Sequence, residues 1–276
     1  MTAGEIAASI AAMSRAFANV DLCGMPLASI DTQQLLDHLF ECLARGQGGW
    51  LITANLDFLR RYVKDPEARG IYKGADLRVA DGMPLVWASR LRGTPLPERV
   101  AGSSLVAPLC ARAAREGRRV YLLGGDPKAS KMAAQKLQEA NPALQIVGVS
   151  APWVSALPTS MELEDMAAAL HAAQPDIVLV AFGSPKQERV IHKLQARLPN
   201  AWWIGIGISL SFIAGHVRRA PPLVQALGLE WVHRLVQEPG RLFKRYIVED
   251  LPFALELFGR AAFDRIQAAT GSRPEP

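Results

Sequence analysis

Hydrophobic positions along the chain follow two alternating rhythms. Short apolar blocks at residues 50–53, 77–80, 120–123, 146–149, 177–182 and 202–206 read as buried strands. Between them, residues 30–45, 56–64, 103–116, 127–140, 161–173 and 185–197 carry helical spacing. In the first of these, Leu35, Leu36, Leu39, Phe40 and Leu43 fall on one side. Residues 20–27 can form one more strand, and 1–19 read as a loose helix or a tail. Strands that are apolar throughout, each followed by a helix, predict a parallel sheet covered on both faces. The expected fold class is α/β: a Rossmann-like, mostly parallel sheet with helices on both faces, plus a C-terminal helical appendage.

The rhythm changes after Gly215. Arg218-Arg219-Ala220-Pro221-Pro222 interrupts it, and everything beyond reads as helix. Near the end, Glu256, Arg260 and Asp264 form a narrow polar stripe on an otherwise apolar helix. Three units are expected: a tail at 1–19, an α/β body at 20–215 and a helical segment at 216–276.

The charged groups concentrate interest at strand ends, where open α/β sheets bind ligands. Gly183-Ser184-Pro185-Lys186-Gln187-Glu188 follows an apolar strand and opens a helix. Ser184 and Gln187 fit an S-x-x-Q capping box, and Lys186 and Gln187 equally fit a ligand. Gly124-Gly125-Asp126-Pro127 opens another helix, as a phosphate cradle or a plain cap with Asp126 at the N-cap. It is neither GxGxxG nor a Walker loop, which counts against a dinucleotide-dependent dehydrogenase. Asp81 can act as a general base or belong to a tight Asp-Gly turn. Thr53 and Asn55 can bind a polar ligand or cap the next helix. Arg99 suits a diphosphate or a surface ion pair.

Composition narrows the setting. The 276 residues are half hydrophobic and carry a formal net charge of +5, which fits an anionic partner without choosing one. Cys23, Cys42 and Cys110 are far apart, so a reducing compartment is expected and no zinc or disulfide framework. The five histidines share no metal-ligand spacing, and no DxD-type carboxylate pair ends a strand. No metal site and no cofactor are expected. The start lacks the pattern of a signal peptide, and the longest apolar run, 201–215, is broken by glycine and shorter than the ~20 residues a membrane span needs. These features suggest a cytoplasmic protein. Arg218, Arg219, Arg234, Arg241, Lys244 and Arg245 can form a basic face beside the apolar helix, suited to an anionic membrane surface. Interleaved acidic residues equally fit a solvated helix.

In order, Thr53-Ala54-Asn55, Ala80-Asp81-Gly82, Glu98-Arg99-Val100-Ala101-Gly102, Leu123-Gly124-Gly125, Gly183 to Glu188, Arg219-Ala220-Pro221, Leu229-Glu230-Trp231 with Arg234, and Glu238-Pro239 with Arg241 resemble the WecG/TagA/CpsF family of glycosyltransferases (glycosyltransferase family 26). The resemblance covers residues 20–253. It implies an inverting, metal-independent transfer from a UDP-sugar donor to a polyprenyl-diphosphate-linked sugar acceptor, in bacterial cell-surface polysaccharide synthesis. The sugar class would be N-acetylmannosamine, its uronic acid or glucose. By the same resemblance Asp81 is the base and Arg99 steadies the diphosphate. Thr53, Asn55, Gln187 and Lys186 line the substrates, Gly124 and Gly125 contact UDP, and Arg219, Arg234 and Arg241 complete the site. The appendage would place the protein on the inner face of the cytoplasmic membrane. A homo-oligomer is compatible, and no nucleic acid is implied. Two departures stand out. Ser211 replaces the family's usual Asp, and Ala151-Pro152-Trp153 replaces a Gly-Tyr-Phe-like segment, with Trp153 able to supply the aromatic ring. The loss at Ser211 keeps a second reading open, a non-catalytic nucleotide-sugar-binding protein at the membrane.

Overall fold

The computed structural model describes residues 17–270. The expectation for residues 1–16 lies outside the described residues. Six strands form one parallel sheet in the order β4-β3-β8-β7-β5-β6: β3 (Gly49–Ala54), β4 (Leu77–Ala80), β5 (Arg119–Gly124), β6 (Gln145–Ser150), β7 (Ile177–Ala181) and β8 (Trp202–Gly205). The four middle strands are apolar and almost wholly buried, because helices cover both faces. One face packs around Trp50, Val180 and Trp203, the other around Leu51, Leu179 and Trp202. The α/β expectation is met.

Local chemistry starts the helices where the pattern put them. Asp31 caps α1 (Thr32–Ala44) in a reciprocal capping box with Gln34. Asn55 caps α2 (Leu56–Lys64), and Asp126 caps the long helix Pro127–Ala140, whose first residue is proline. Two helices lacked a clear period. Pro66–Lys73, here α3, is a short helix entered through Asp65 and Pro66, and Met83–Arg92, here α4, follows directly on Asp81-Gly82. The remaining labels of the body are α5 (Gly102–Arg115), α6 for the helix Pro127–Ala140, α7 (Ser160–Ala173), α8 (Lys186–Leu194) and α9 (Ser209–Ala214).

Residues 20–27 are not one strand. β1 (Asn19–Leu22) and β2 (Met25–Ala28) form an antiparallel hairpin. Cys23 and Gly24 both take positive φ between them and reverse the chain. The capping box expected at Ser184 is also absent. α8 begins at Lys186 with Pro185 as its N-cap and no side-chain capping bond. The Gln187 side chain is drawn away instead, and its Oε1 accepts the N–H of Gly207 at 3.1 Å.

The C-terminal segment runs through α10 (Pro222–Ala226), α11 (Glu230–Gln237), α12 (Pro239–Phe243), a π-helical stretch at Lys244–Asp250 and α13 (Leu251–Thr270). α13 packs against α4 and contributes Phe253, Leu257 and Ala261 to the core on one face of the sheet. Its polar stripe faces the body in part: Glu256 pairs with Lys64 at 2.9 Å and Asp264 with Arg92 at 2.8 Å. Leu255, Phe263 and Ile266 are left exposed. Among the described residues, no helix is long and apolar enough to cross a membrane.

Candidate active site

A cleft of ≈ 920 Å³ opens at the carboxyl ends of the strands, roofed by the C-terminal segment. This is where a parallel sheet gathers loops from non-consecutive strands. Thr53, Asn55, Asp81, Arg99, Gly125, Lys186, Gln187, Arg234 and Arg241 all line it. Gly124 and Arg219 do not. Gly124 lies behind the wall, where a Cβ would fall 2.9 Å from the Phe182 ring.

Asp81 follows β4 and is fixed from both sides. Its N–H donates to Ala54 O at 2.7 Å, tying it to the end of β3. The amide of Gly102, first residue of α5, donates to its Oδ2 at 3.3 Å. The loop bearing Arg99 runs alongside, held by Val100 N–H to Ala80 O at 2.8 Å. Gly102 permits the crowding, since a Cβ there would lie 3.0 Å from Thr53 Oγ1. Burial pushes the Asp81 carboxyl up to about 6, against the pull of Arg99 and of the Gly102 amide. A carboxylate so tuned can take a proton near neutral pH.

Arg99 does not stand alone. Its Nη1 is 3.1 Å from Oε2 of Glu230 on α11, and Arg219 Nε is 3.5 Å from the other Glu230 oxygen. Arg219 Nη2 also donates to Ser104 Oγ at 2.7 Å. Two acids and two guanidiniums therefore meet at the join between sheet and C-terminal segment. Sequence reasoning missed Glu230, which carried no signal except its place in the Leu229-Glu230-Trp231 motif.

The other polar groups divide their duties. Asn55 Oδ1 accepts the Phe58 N–H at 3.2 Å, so its amide nitrogen is the end that can serve a ligand. Gln187 lies across Gly205, where a Cβ would come within 2.6 Å of its Nε2. Lys186 Nζ donates to Val154 O at 2.8 Å and anchors the loop that presents Trp153, which is 81% exposed at the cleft. Glu188 is buried behind the loop, pushed up to about 7 by burial against Gln187 and Ser184. The donors expected at the start of α6 are already used. Asp126 accepts Lys128 N–H at 3.0 Å and Ala129 N–H at 2.9 Å, so a carboxylate occupies the place of an external anion.

The six basic residues of the C-terminal segment do not form one face. Arg218, Arg241 and Lys244 are exposed, whereas Arg219, Arg234 and Arg245 are partly buried. Arg241 donates to Glu238 at 2.6 Å, and Arg234 keeps a buried Nε without a partner. Among the described residues, no three His, Cys, Asp or Glu side chains gather where they could hold a metal ion.

A parallel α/β sheet whose cleft holds a tuned carboxylate and several guanidiniums has groups suited to binding an anion and accepting a proton. Residues 20–267 match the Glycosyl transferase WecG/TagA/CpsF family, and the chain belongs to that family. It is thus a glycosyltransferase of cell-surface polysaccharide synthesis, a class that uses a nucleotide-sugar donor and a lipid-linked acceptor.

Proposed function

We propose that the protein moves a hexose-type sugar from a UDP-sugar to a polyprenyl-diphosphate-linked sugar, by single displacement with inversion and without a metal ion. The observation that supports it best is the Asp81 carboxylate, set in the cleft wall beside Arg99 with an affinity for protons near neutral pH. The acceptor hydroxyl oxygen attacks the anomeric carbon, and its proton passes to Asp81. The bond from that carbon to the UDP oxygen breaks, and the electron pair leaves with the diphosphate. One base is enough for a single inversion. Arg99, Arg234 and Arg241 meet the departing negative charge. Thr53, Asn55 and Gln187 orient the sugars, with Gly125 and Trp153 beside the nucleotide.

The C-terminal segment would rest on the inner face of the cytoplasmic membrane. Leu223, Val236, Phe243, Val248 and Leu255 are each more than half exposed along it, apolar side chains of the kind a membrane-surface segment buries. The donor sugar is N-acetylmannosamine, its uronic acid or glucose.

The test is a panel of UDP-sugars against a sugar-diphospholipid acceptor, with the product's anomeric configuration read by NMR. One donor giving the inverted product supports the proposal. Retained configuration rules out single displacement. Ser211 lines the cleft where the family usually carries Asp, which favours a second reading, nucleotide-sugar binding without transfer. UDP binding with no product from any donor would establish that reading instead.

A further inference from the structure

A second charged cluster lies in the cleft wall. Asp57, in the first turn of α2, has a side chain with no exposure at all. Three guanidiniums surround it: Arg60 at 2.6 Å, Arg61 at 3.1 Å and Arg245 at 3.2 Å. Arg245 belongs to the π-helical stretch of the C-terminal segment. That stretch returns two acids to the same cluster, since Arg60 pairs with Glu249 at 2.8 Å and with Asp250 at 3.0 Å. Arg245 reaches Asp250 as well, at 3.7 Å.

These contacts join parts of the chain about 190 positions apart. Asp57, Arg245 and Asp250 all line the cleft, so the cluster is also part of its wall. Three carboxylates face three guanidiniums, and the set is balanced only while the C-terminal segment is seated. A buried carboxylate is tolerated when paired and costly when its partners leave. Apart from the Glu230 pairs with Arg99 and Arg219, the rest of the segment is lightly anchored near the cleft: α11 has no buried residue, and α12 has only Leu242.

We propose that Asp57 is a positioning residue: it latches Arg245, and through it residues 239–250, over the cleft so that the segment's arginines face the substrate. Asp57 touches no reacting atom in this account. Its effect on transfer rests on the glycosyltransferase reading above, but its effect on the segment does not. The Asp57–Arg245 contact and the Arg99–Glu230 pair each tie the C-terminal segment to the body at the same cleft.

The full-length chain tests this through amide hydrogen exchange of Asp57→Asn and Arg245→Gln. In both variants, exchange over residues 239–250 should speed up by about tenfold or more, while β3 and β7 stay protected. Unchanged exchange in that segment in either variant overturns the latch. Should Asp57→Asn loosen the whole molecule, Arg245→Gln decides by the same two outcomes, because it leaves Asp57 paired with Arg60 and Arg61. A double-variant cycle on kcat/KM adds a readout that general destabilisation does not move. Asp57→Asn placed on Arg245→Gln should change the rate by less than about twofold. Multiplicative losses overturn a role acting through Arg245. Absence of sugar transfer by the unaltered protein would sink the proposed activity, and the exchange measurement would still decide the latch.

Discussion

Nη1 of Arg99 lies 3.1 Å from Oε2 of Glu230, so a loop of the sheet and a helix of the C-terminal segment share one ion pair inside the cleft. Both side chains are mostly shielded from water, and Arg219 leans on the same carboxylate. The pair does two things. It seats α11 against the body, and in the proposed reaction Arg99 would leave Glu230 to meet the anion.

Removing the acid should separate these roles. Glu230→Gln leaves Arg99 and Arg219 close together without their shared counter-charge. We expect a loss of roughly 2–4 kcal/mol in stability, from breaking a partly buried pair on one side. UDP affinity should stay level or rise, because both guanidiniums become available. Thermal melts and calorimetric titration of UDP measure the two effects. Weaker UDP binding at full stability would mean that Glu230 itself contacts the nucleotide.

The Asp81 carboxyl predicts a pH limb. Only its ionised form accepts a proton, so transfer should rise with pH through about 6 and level off above it. Arg99 pulls this value down, so Arg99→Gln should move the limb to higher pH as well as slow the reaction. A limb that stays in place in Arg99→Gln would show that another group titrates.

The same shift has a stability consequence. A carboxyl whose value is raised by folding disfavours the folded state once ionised. The cost is absent below the unfolded value near 4 and fully present above about 6. Asp81→Asn should therefore melt higher than the natural protein at pH 8 and alike at pH 4, while losing activity. A lower melting temperature at pH 8 would show that the Asp81 charge supports the fold.

Gly205 carries a steric prediction. A methyl group there meets Gln187 Nε2 at 2.6 Å, in the middle of the sheet's carboxyl end. Gly205→Ala should cost about 1–3 kcal/mol and displace Gln187 from the cleft. Denaturant melts and transfer assays would show both losses together; an active, fully stable variant would place Gln187 outside the site.

Trp153 gives the opposite combination. It is 81% exposed on a loop anchored by Lys186 and Val154, so Trp153→Ala should leave stability within about 0.5 kcal/mol. UDP should bind about tenfold more weakly if the ring stacks on the base. Equal UDP affinity would remove Trp153 from the nucleotide subsite.

What the sequence made legible follows from the range of the forces involved. The central strands were readable because burial on both faces demands unbroken apolar runs such as Ile177 to Ala181. Asp81 and Gln187 were readable as polar residues next to strand ends, where a parallel sheet binds ligands, and Arg99 as a guanidinium in a loop before Gly102. The hairpin at Cys23-Gly24 was missed because its reversal depends on two backbone angles, and the turn lacks a strong signature. The capping box at Ser184 failed because Gln187 found a partner twenty residues on, at Gly207. Glu230 and Asp57 were invisible as site residues, since Arg99 lies 131 positions from Glu230 and Arg245 lies 188 positions from Asp57. No local pattern encodes such pairings.

The proposed reaction turns on Asp81 taking the proton from the acceptor hydroxyl during sugar transfer. Its most direct test is single-turnover transfer from the preferred UDP-sugar to a sugar-diphospholipid, comparing the natural protein with Asp81→Ala at pH 8. A loss of about 10²–10⁴ in rate, with UDP affinity nearly unchanged, is expected. Turnover by Asp81→Ala close to that of the natural protein would contradict it.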